Sequence, residues 1–308
     1  MQTIGLVGGL SWESSAVYYQ ELNRGVEARV GGLSSARTVM ASVDFAEVTA
    51  LQEQERWDDV AAILSGAARG VEAGGADFLL LCTTTFHRVA DQVADAVGIP
   101  LLHLADVVAE ECKAKGLESV GFLGTTFAMS RTFFTDRIAS HGLTVLVPDE
   151  RHHETLNRVI YDELVHGKVL DGSRRTVVGL IDELWDAGAG GVILGCTELE
   201  LLVHQADADI PVFPGTALHV AAALDRALAS SGLARGRRLR EIGSTSLGSA
   251  PVWAKAEPAP RRQSAAAAAR VTRVSDRFMD CFPHLCRRRR TAPLIFGWTL
   301  ADLPGVRH

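Results

Sequence analysis

Two cysteines in this chain stand where a short apolar run stops. Gly191-Val192-Ile193-Leu194 runs into Gly195-Cys196-Thr197-Glu198, and Phe78-Leu79-Leu80-Leu81 runs into Cys82-Thr83-Thr84-Thr85-Phe86-His87. Each run has the length and apolar content of a buried parallel strand, so each thiol falls at a strand end, where open α/β sheets place their chemistry. A free thiol loses its proton near pH 8.5, and the free N–H groups of a helix start lower that value and hold anions. Cys196, just ahead of Thr197-Glu198, is expected to carry a thiol depressed in this way. Three successive threonines are poor helix interior, but they suit capping or carboxylate binding.

The two stretches repeat. Cys82 and Cys196 lie 114 residues apart, and Ile4-Gly5-Leu6-Val7-Gly8-Gly9 matches Val120-Gly121-Phe122-Leu123-Gly124-Thr125 at an offset of 116. Two matched pairs at nearly the same offset predict an α/β fold of two similar, doubly wound parallel-sheet halves around a cleft. The first half takes residues 1–104 and 211–230, and the second takes residues 105–210.

The elements that must position these ends read in order. A first strand, Thr3 to Val7, meets Gly8-Gly9-Leu10-Ser11, a tight turn whose N–H groups could face an anion. Ser11 can cap the helix running through Tyr18, Leu22 and Val26. A second strand starts at Thr38, with Asp44 and Gln52 beyond its end near the same sheet edge. Trp57 to Val71 is amphipathic at helical spacing. His87 lies one turn into the helix after Cys82, where it suits a supporting hydrogen bond or packing. Cys112 belongs to a core face. Gly124-Thr125-Thr126 is the second half's counterpart of the glycine turn. His152 to Val165 and Arg174 to Trp185 read as helices.

Composition bounds the rest. The chain has 308 residues, enough for two full cores. No apolar stretch reaches the ~18 residues of a membrane span. The start lacks a basic, signal-like segment, so a cytoplasmic protein is expected. The five cysteines show neither CxxC nor metal spacing, so neither disulfides nor a metal is expected. Gly-Lys-Ser/Thr and GxGxxG are absent, which removes phosphate-loop and dinucleotide readings. Residues 231–308 hold 15 Lys+Arg against 5 Asp+Glu, whereas residues 1–230 hold 16 against 32. With the Ala265–Ala269 run and the Arg287–Arg290 block, this tail reads as a poorly ordered basic appendage rather than a nucleic-acid or membrane binder.

The blocks Ile4 to Ser14, Cys82 to His87, Leu123-Gly124-Thr125 and Leu194 to Glu198 resemble the aspartate/glutamate/hydantoin racemase superfamily. Within it they resemble the aspartate racemase-like amino-acid racemases. The likeness covers about residues 1–230. It implies a cofactor-independent racemase of small amino acids, aspartate or glutamate, with one acid/base group per half, working as a homodimer. The family's second block is intact, so the likeness assigns Cys196. In the first block, counting back four from His87 reaches Thr83, and a branch of the family carries Cys-Thr there, so Thr83 takes the second face and Cys82 is the lesser alternative. Thr84 stands where the family has Asn, and Phe86 where it has a smaller apolar residue. Strand alternation turns Cys82 away if Thr83 faces the cleft. Gly8, Gly9, Ser11, Gln52, Thr84, Thr85, Thr125, Thr197 and Glu198 are the candidates to hold substrate. A cofactor-free decarboxylase or isomerase of a small diacid, and an amino-acid-binding protein without turnover, are the alternatives on the same scaffold.

Overall fold

A computed structural model of the chain describes residues 1–229, and the tail expected to be poorly ordered lies outside them. Strand β1 (Ile4–Gly8) is buried at every position, as a central strand covered on both faces must be. Ser11 then caps α1 (Trp12–Val30), its hydroxyl accepting from the Ser14 N–H. Strand β2 (Thr38–Ser42) precedes α2 (Phe45–Glu53), which is capped by the Asp44 carboxylate, and α3 (Trp57–Ala73) leads into β3 (Phe78–Leu81). These strands form a parallel sheet ordered β2-β1-β3.

A 3₁₀ turn (Thr85–Val89) and α4 (Ala90–Asp95) follow, and Leu101 bridges to Leu79 as a vestigial fourth strand. Helix α5 (Leu104–Ala114) opens the second half, which continues through β4 (Ser119–Leu123), α6 (Thr126–Ser130), α7 (Phe133–Ser140) and β5 (Thr144–Leu146). The helix expected over 152–165 is broken into α8 (His153–Arg158), a π-helical turn (Val159–Glu163) and a 3₁₀ turn (Leu164–His166). After α9 (Asp171–Asp186) come β6 (Val192–Leu194), the four-residue α10 (Leu199–Leu202), β7 (Val212–Pro214) and α11 (Gly215–Ala229). The second sheet is parallel and ordered β5-β4-β6-β7. It is the first sheet's order with the Leu101 bridge grown into a strand. Because β7 pairs with β6, the chain leaves the second sheet at Gly215 rather than at 211.

Strand alternation sorts the core. Val7, Leu79 and Leu81 face Val60, Leu64 and Val71 of α3, while Leu6, Leu80 and Cys82 face Tyr18 and Leu22 of α1 and Val220 and Leu224 of α11. Helix α11 thus returns to the first half. A third core packs β4 and β6 against Val177, Leu180 and Leu184 of α9, with Cys112 buried in it. The halves also meet side chain to side chain. Arg131 pairs with Glu55 at 2.7 Å, and the Trp57 and Phe127 rings lie 5.3 Å apart. Among the described residues no helix is long and apolar enough to cross a membrane, and no cluster of His, Cys, Asp and Glu could hold a metal.

The strand end carrying Cys196 is set by close packing. A Cβ on Gly195 would stand 2.3 Å from the Phe122 ring and 3.2 Å from the Leu123 carbonyl. Gly195→Ala is therefore expected to cost about 1–3 kcal/mol of stability as an overpacked core. Urea melts measure the loss. Adding Phe122→Leu should return part of it, and equal stability of Gly195→Ala and wild type would show that the ring yields.

Candidate functional site at the strand ends

The first thiol is removed from the site by its own strand. Cys82 is fully buried in the layer between the first sheet, α1 and α11, and burial pushes its thiol far up. Thr83, the next residue, is half-buried. Thr84 and Thr85 are half-buried beside it, and no described residue hydrogen-bonds to the hydroxyls of these three threonines. A row of hydroxyls left without protein partners can receive a polar ligand.

Cys196 lies against the second core, partly exposed, at the end of β6. Its thiol donates to Glu198 Oε2 at 2.7 Å, and Thr197 donates to the same oxygen at 2.8 Å. The expected depression of the thiol is not found. Burial first, then the Glu198 carboxylate, hold it well above the ordinary cysteine value, while the Glu198 N–H pulls weakly the other way. The reason is local: α10 has only four residues, so it supplies little dipole, and an acidic side chain stands at its start. At rest Cys196 is a protonated thiol that donates to the Glu198 side chain.

Other expected contacts are already engaged within the protein. The Gly9 N–H donates to Ser15 Oγ at 2.9 Å, so that part of the anion cradle is occupied. Gly9 is needed for its backbone instead, with φ at +83° and Val43 O only 2.2 Å from where a Cβ would sit. A Cβ on Gly8 would meet Ser15 Oγ at 2.6 Å. Ser11 is taken up in capping α1 and in donating to Glu13 at 3.1 Å. Thr125 caps α6, accepting from the Ala128 N–H at 3.3 Å. Thr197 is tied across the halves to Ser14, hydroxyl to hydroxyl at 2.8 Å. Gln52 lies half-buried on α2, and its side chain has no hydrogen-bond partner among the described residues.

Several residues join the site that the sequence did not single out. Ser14 carries the cross-half bond. Thr49 shares a helix face with Phe45 and Gln52, Phe45 packs edge-on to Phe86, and the Thr49 hydroxyl is buried without a partner. Tyr161 sits in the π-helical turn. Half its surface reaches solvent, yet its phenol is pushed up to about 12 by burial of its hydroxyl first and then by the neighbouring Glu198 carboxylate. A π turn re-aims side chains, and no helical periodicity announces one. Glu200 accepts from the Thr216 and Ala217 N–H groups at the start of α11, and burial lifts its carboxyl to about 7.

Behind Thr83 three histidines meet. The His87 and His103 rings are 4.5 Å apart, and His87 and His219 are 6.1 Å apart. His87 Nδ1–H donates to the Thr83 carbonyl at 2.7 Å, and its Nε2 accepts from the Leu104 N–H at 3.3 Å. His103 Nδ1 accepts from the Ala105 N–H at 3.1 Å. His219 accepts from the Tyr18 hydroxyl at 2.9 Å and donates to the Leu102 carbonyl at 2.8 Å. Burial holds all three neutral, with His103 and His219 lowered to about 4 and His87 held well below its ordinary value by burial and then by its histidine neighbours.

The Asp/Glu/hydantoin racemase family model matches residues 7–223. The solved structure of a candidate Asp/Glu racemase from Yersinia pestis is similar, at 43% identity over 74% of this chain and 100% of that one, with a TM-score of 0.71. An aspartate racemase homologue from Pyrococcus horikoshii is 32% identical over 74% of this chain and 99% of its own, with a TM-score of 0.68. An uncharacterised protein from Pectobacterium carotovorum is 26% identical over 105 residues, 34% of this chain and 69% of that one.

Two outcomes follow from the electrostatics. Glu198→Gln removes the charge that raises the Cys196 thiol, so iodoacetamide labelling of Cys196 near neutral pH should speed up while turnover falls by roughly 10²-fold. A fall in both would show that Glu198 only shapes the site. Second, the histidines hold folded pKa values below the ordinary 6.5, so the stability they confer is full above that pH and is lost as acid carries them toward about 4. The loss is on the order of 3 kcal/mol for each of His103 and His219. Arg137 beside His87 and His103 opposes their protonation, and Asp106 and Asp91 favour it at His103. Glu200, raised to about 7, works the other way, because folding favours its protonated form as pH falls. Urea melts from pH 7.5 to 4 should therefore show a net acid decline, and His103→Asn, which keeps a cap acceptor, should flatten it.

Proposed function

The chain belongs to the Asp/Glu/hydantoin racemase family, and on that footing we propose that it is a cofactor-independent amino-acid racemase. The observation that carries this reading is the Cys196 thiol hydrogen-bonded to the Glu198 carboxylate at the end of β6. The substrate is an amino acid, aspartate or glutamate by likeness to the family, and the active form is a cytoplasmic homodimer.

The Cα–H of an amino acid is a very weak acid, so its removal needs a base in place and donors aimed at the growing carbanion. The Cys196 proton passes to Glu198, and the resulting thiolate takes the Cα proton. The substrate ammonium, entering beside Glu198, offsets the negative charge that otherwise holds the thiol protonated. On the opposite face the Thr83 hydroxyl delivers a proton to the carbanion and regains one from solvent. In the reverse direction Cys196 is the proton donor, the role its resting protonated state suits. Thr83 has no carboxylate like Glu198 to draw off its proton, so it is the weaker partner and the two faces exchange at different rates. The free hydroxyls of Thr84 and Thr85 receive substrate oxygens in this reading.

Proton NMR in D₂O tests the reading directly. Deuterium should enter Cα of aspartate or glutamate with the wild-type protein, faster from one enantiomer, and Cys196→Ala should lower that rate by at least about 10³-fold. A folded protein that exchanges no amino acid would refute the racemase. Release of CO₂ from a small diacid would then favour the single-thiol decarboxylase, and tight amino-acid binding without exchange would favour the binding protein.

A further inference from the structure

We infer that His87 is a positioning residue for the Thr83 face, acting through the Thr83 backbone and never on the substrate itself. The inference rests on the racemase reading above and adds to it.

The starting point is how a threonine directly after a buried cysteine is kept turned to the open side. On the strand side the buried Cys82 is anchored, its N–H donating to the Val7 carbonyl at 2.9 Å, but on the other side the chain gives Thr83 no help. Thr84 starts the 3₁₀ turn without a side-chain cap, and the Thr83 hydroxyl has no described partner. What holds this corner is one side-chain bond, the His87 Nδ1–H to the Thr83 carbonyl, together with the Thr84 carbonyl accepting from the His87 N–H at 3.1 Å. A carbonyl can only accept, so Nδ1 carries the proton. The lone pair on Nε2 is then free for the Leu104 N–H, and it is used there. Both ring nitrogens are committed in a single tautomer. The ring therefore cannot rotate or flip without losing two bonds in a buried place.

Leu104 is the first residue of α5, where the chain passes from the first sheet to the second. Its neighbour Leu102 is held by His219, and Ala105 by His103. His87 thus fixes the Thr83 turn to the same short segment that joins the two halves. Among the described residues the second reactive residue has no hydrogen bond to His87 or to that segment; His87 reaches the surroundings of Cys196 only through the Phe134 and Phe122 rings. Cys196 is set by Gly195, Phe122 and Glu198, all in the second half. Loss of the His87 bond should loosen one face of the reaction and spare the other. A purely structural histidine would weaken both faces together or neither.

The experiment reads Cα–H exchange in D₂O separately from L- and D-aspartate or glutamate. Thr83→Ala first identifies the enantiomer whose exchange depends on that residue. His87→Ala should lower exchange from the same enantiomer by about 10-fold or more, the scale of a misplaced reacting group, and leave the other within about threefold. His87→Asn puts an amide N–H near the Nδ1 position and should restore most of the rate. His87→Gln offers its polar group near Nε2 instead and should not. The Asn and Gln pair decides the matter even if His87→Ala does not fold. Equal loss from both enantiomers, or equal rates for Asn and Gln, would overturn the positioning role while wild-type exchange upheld the racemase. No exchange by the wild-type protein would remove the racemase and this inference with it.

Discussion

In a strand covered on both faces, consecutive side chains cannot share a face, and the site of this protein depends on that constraint at the end of β3. Leu80 and Cys82 enter the layer against α1 and α11, beside Leu6 and Tyr18. Leu79 and Leu81 enter the layer against α3. Thr83, two residues beyond the last strand residue Leu81, is then the first that can turn to the open edge. The thiol is therefore spent on packing, where burial makes it inert. At the other strand end, β6 stops at Gly195, which lies too close to the Phe122 ring for any side chain. The cysteine follows one residue later and stays partly exposed. Two similar sheets thus present unlike groups because their strands stop one residue apart relative to the cysteine.

That difference shapes the electrostatics. A thiol close to a carboxylate is a poor nucleophile at rest and a good reservoir for a proton. The Glu198 oxygen that accepts from Cys196 also accepts from Thr197, which in turn meets Ser14 of the first half. A proton arriving on Glu198 weakens the attraction for two donors at once, and the second of them sits on the contact between halves. Under the proposed mechanism, proton transfer at Cys196 and the fit of the two halves are coupled through one oxygen. A lone thiol activated by a helix start would have no such connection.

Much of this could be read in the chain, and what could not has identifiable causes. The two-sheet plan followed from the Cys82 and Cys196 offset and the Ile4 and Val120 offset, because repeats encode architecture with no knowledge of contacts. Ser11 and Asp44 cap as their types suggest, and Cys112 is buried as its helix face requires. The alternation argument expected Cys82 to turn away where Thr83 faces the cleft, and Cys82 is buried while Thr83 is half-buried, because pleat direction is a local property. The thiol's direction of shift was misjudged because it depends on the length of α10 and on where the Glu198 side chain swings, neither of which is a spacing. The Gly8-Gly9 turn suggested an anion cradle, but a turn glycine looks the same in sequence whether it admits a ligand or a neighbouring chain. Here Ser15 and Val43 occupy the space. Tyr161 was hidden by the π-helical turn, which breaks the period that would have assigned it a face.

The three histidines show how far a local signal can be carried. From spacing alone His87 was a residue suited to a hydrogen bond or to packing, and it is both. What spacing could not supply is that His103 and His219, from two other segments, close on the same point. Three neutral imidazoles packed edge to face can each donate once and accept once, which suits a crossing where backbone N–H and C=O groups are left over from a strand end, a helix start and the segment between them. Lysine or arginine could only donate there, and a carboxylate could only accept. The residue type follows from the need to satisfy both kinds of orphaned backbone group without charge. The cost is sensitivity to acid, because a proton on any one ring removes an acceptor and places a charge beside the other two.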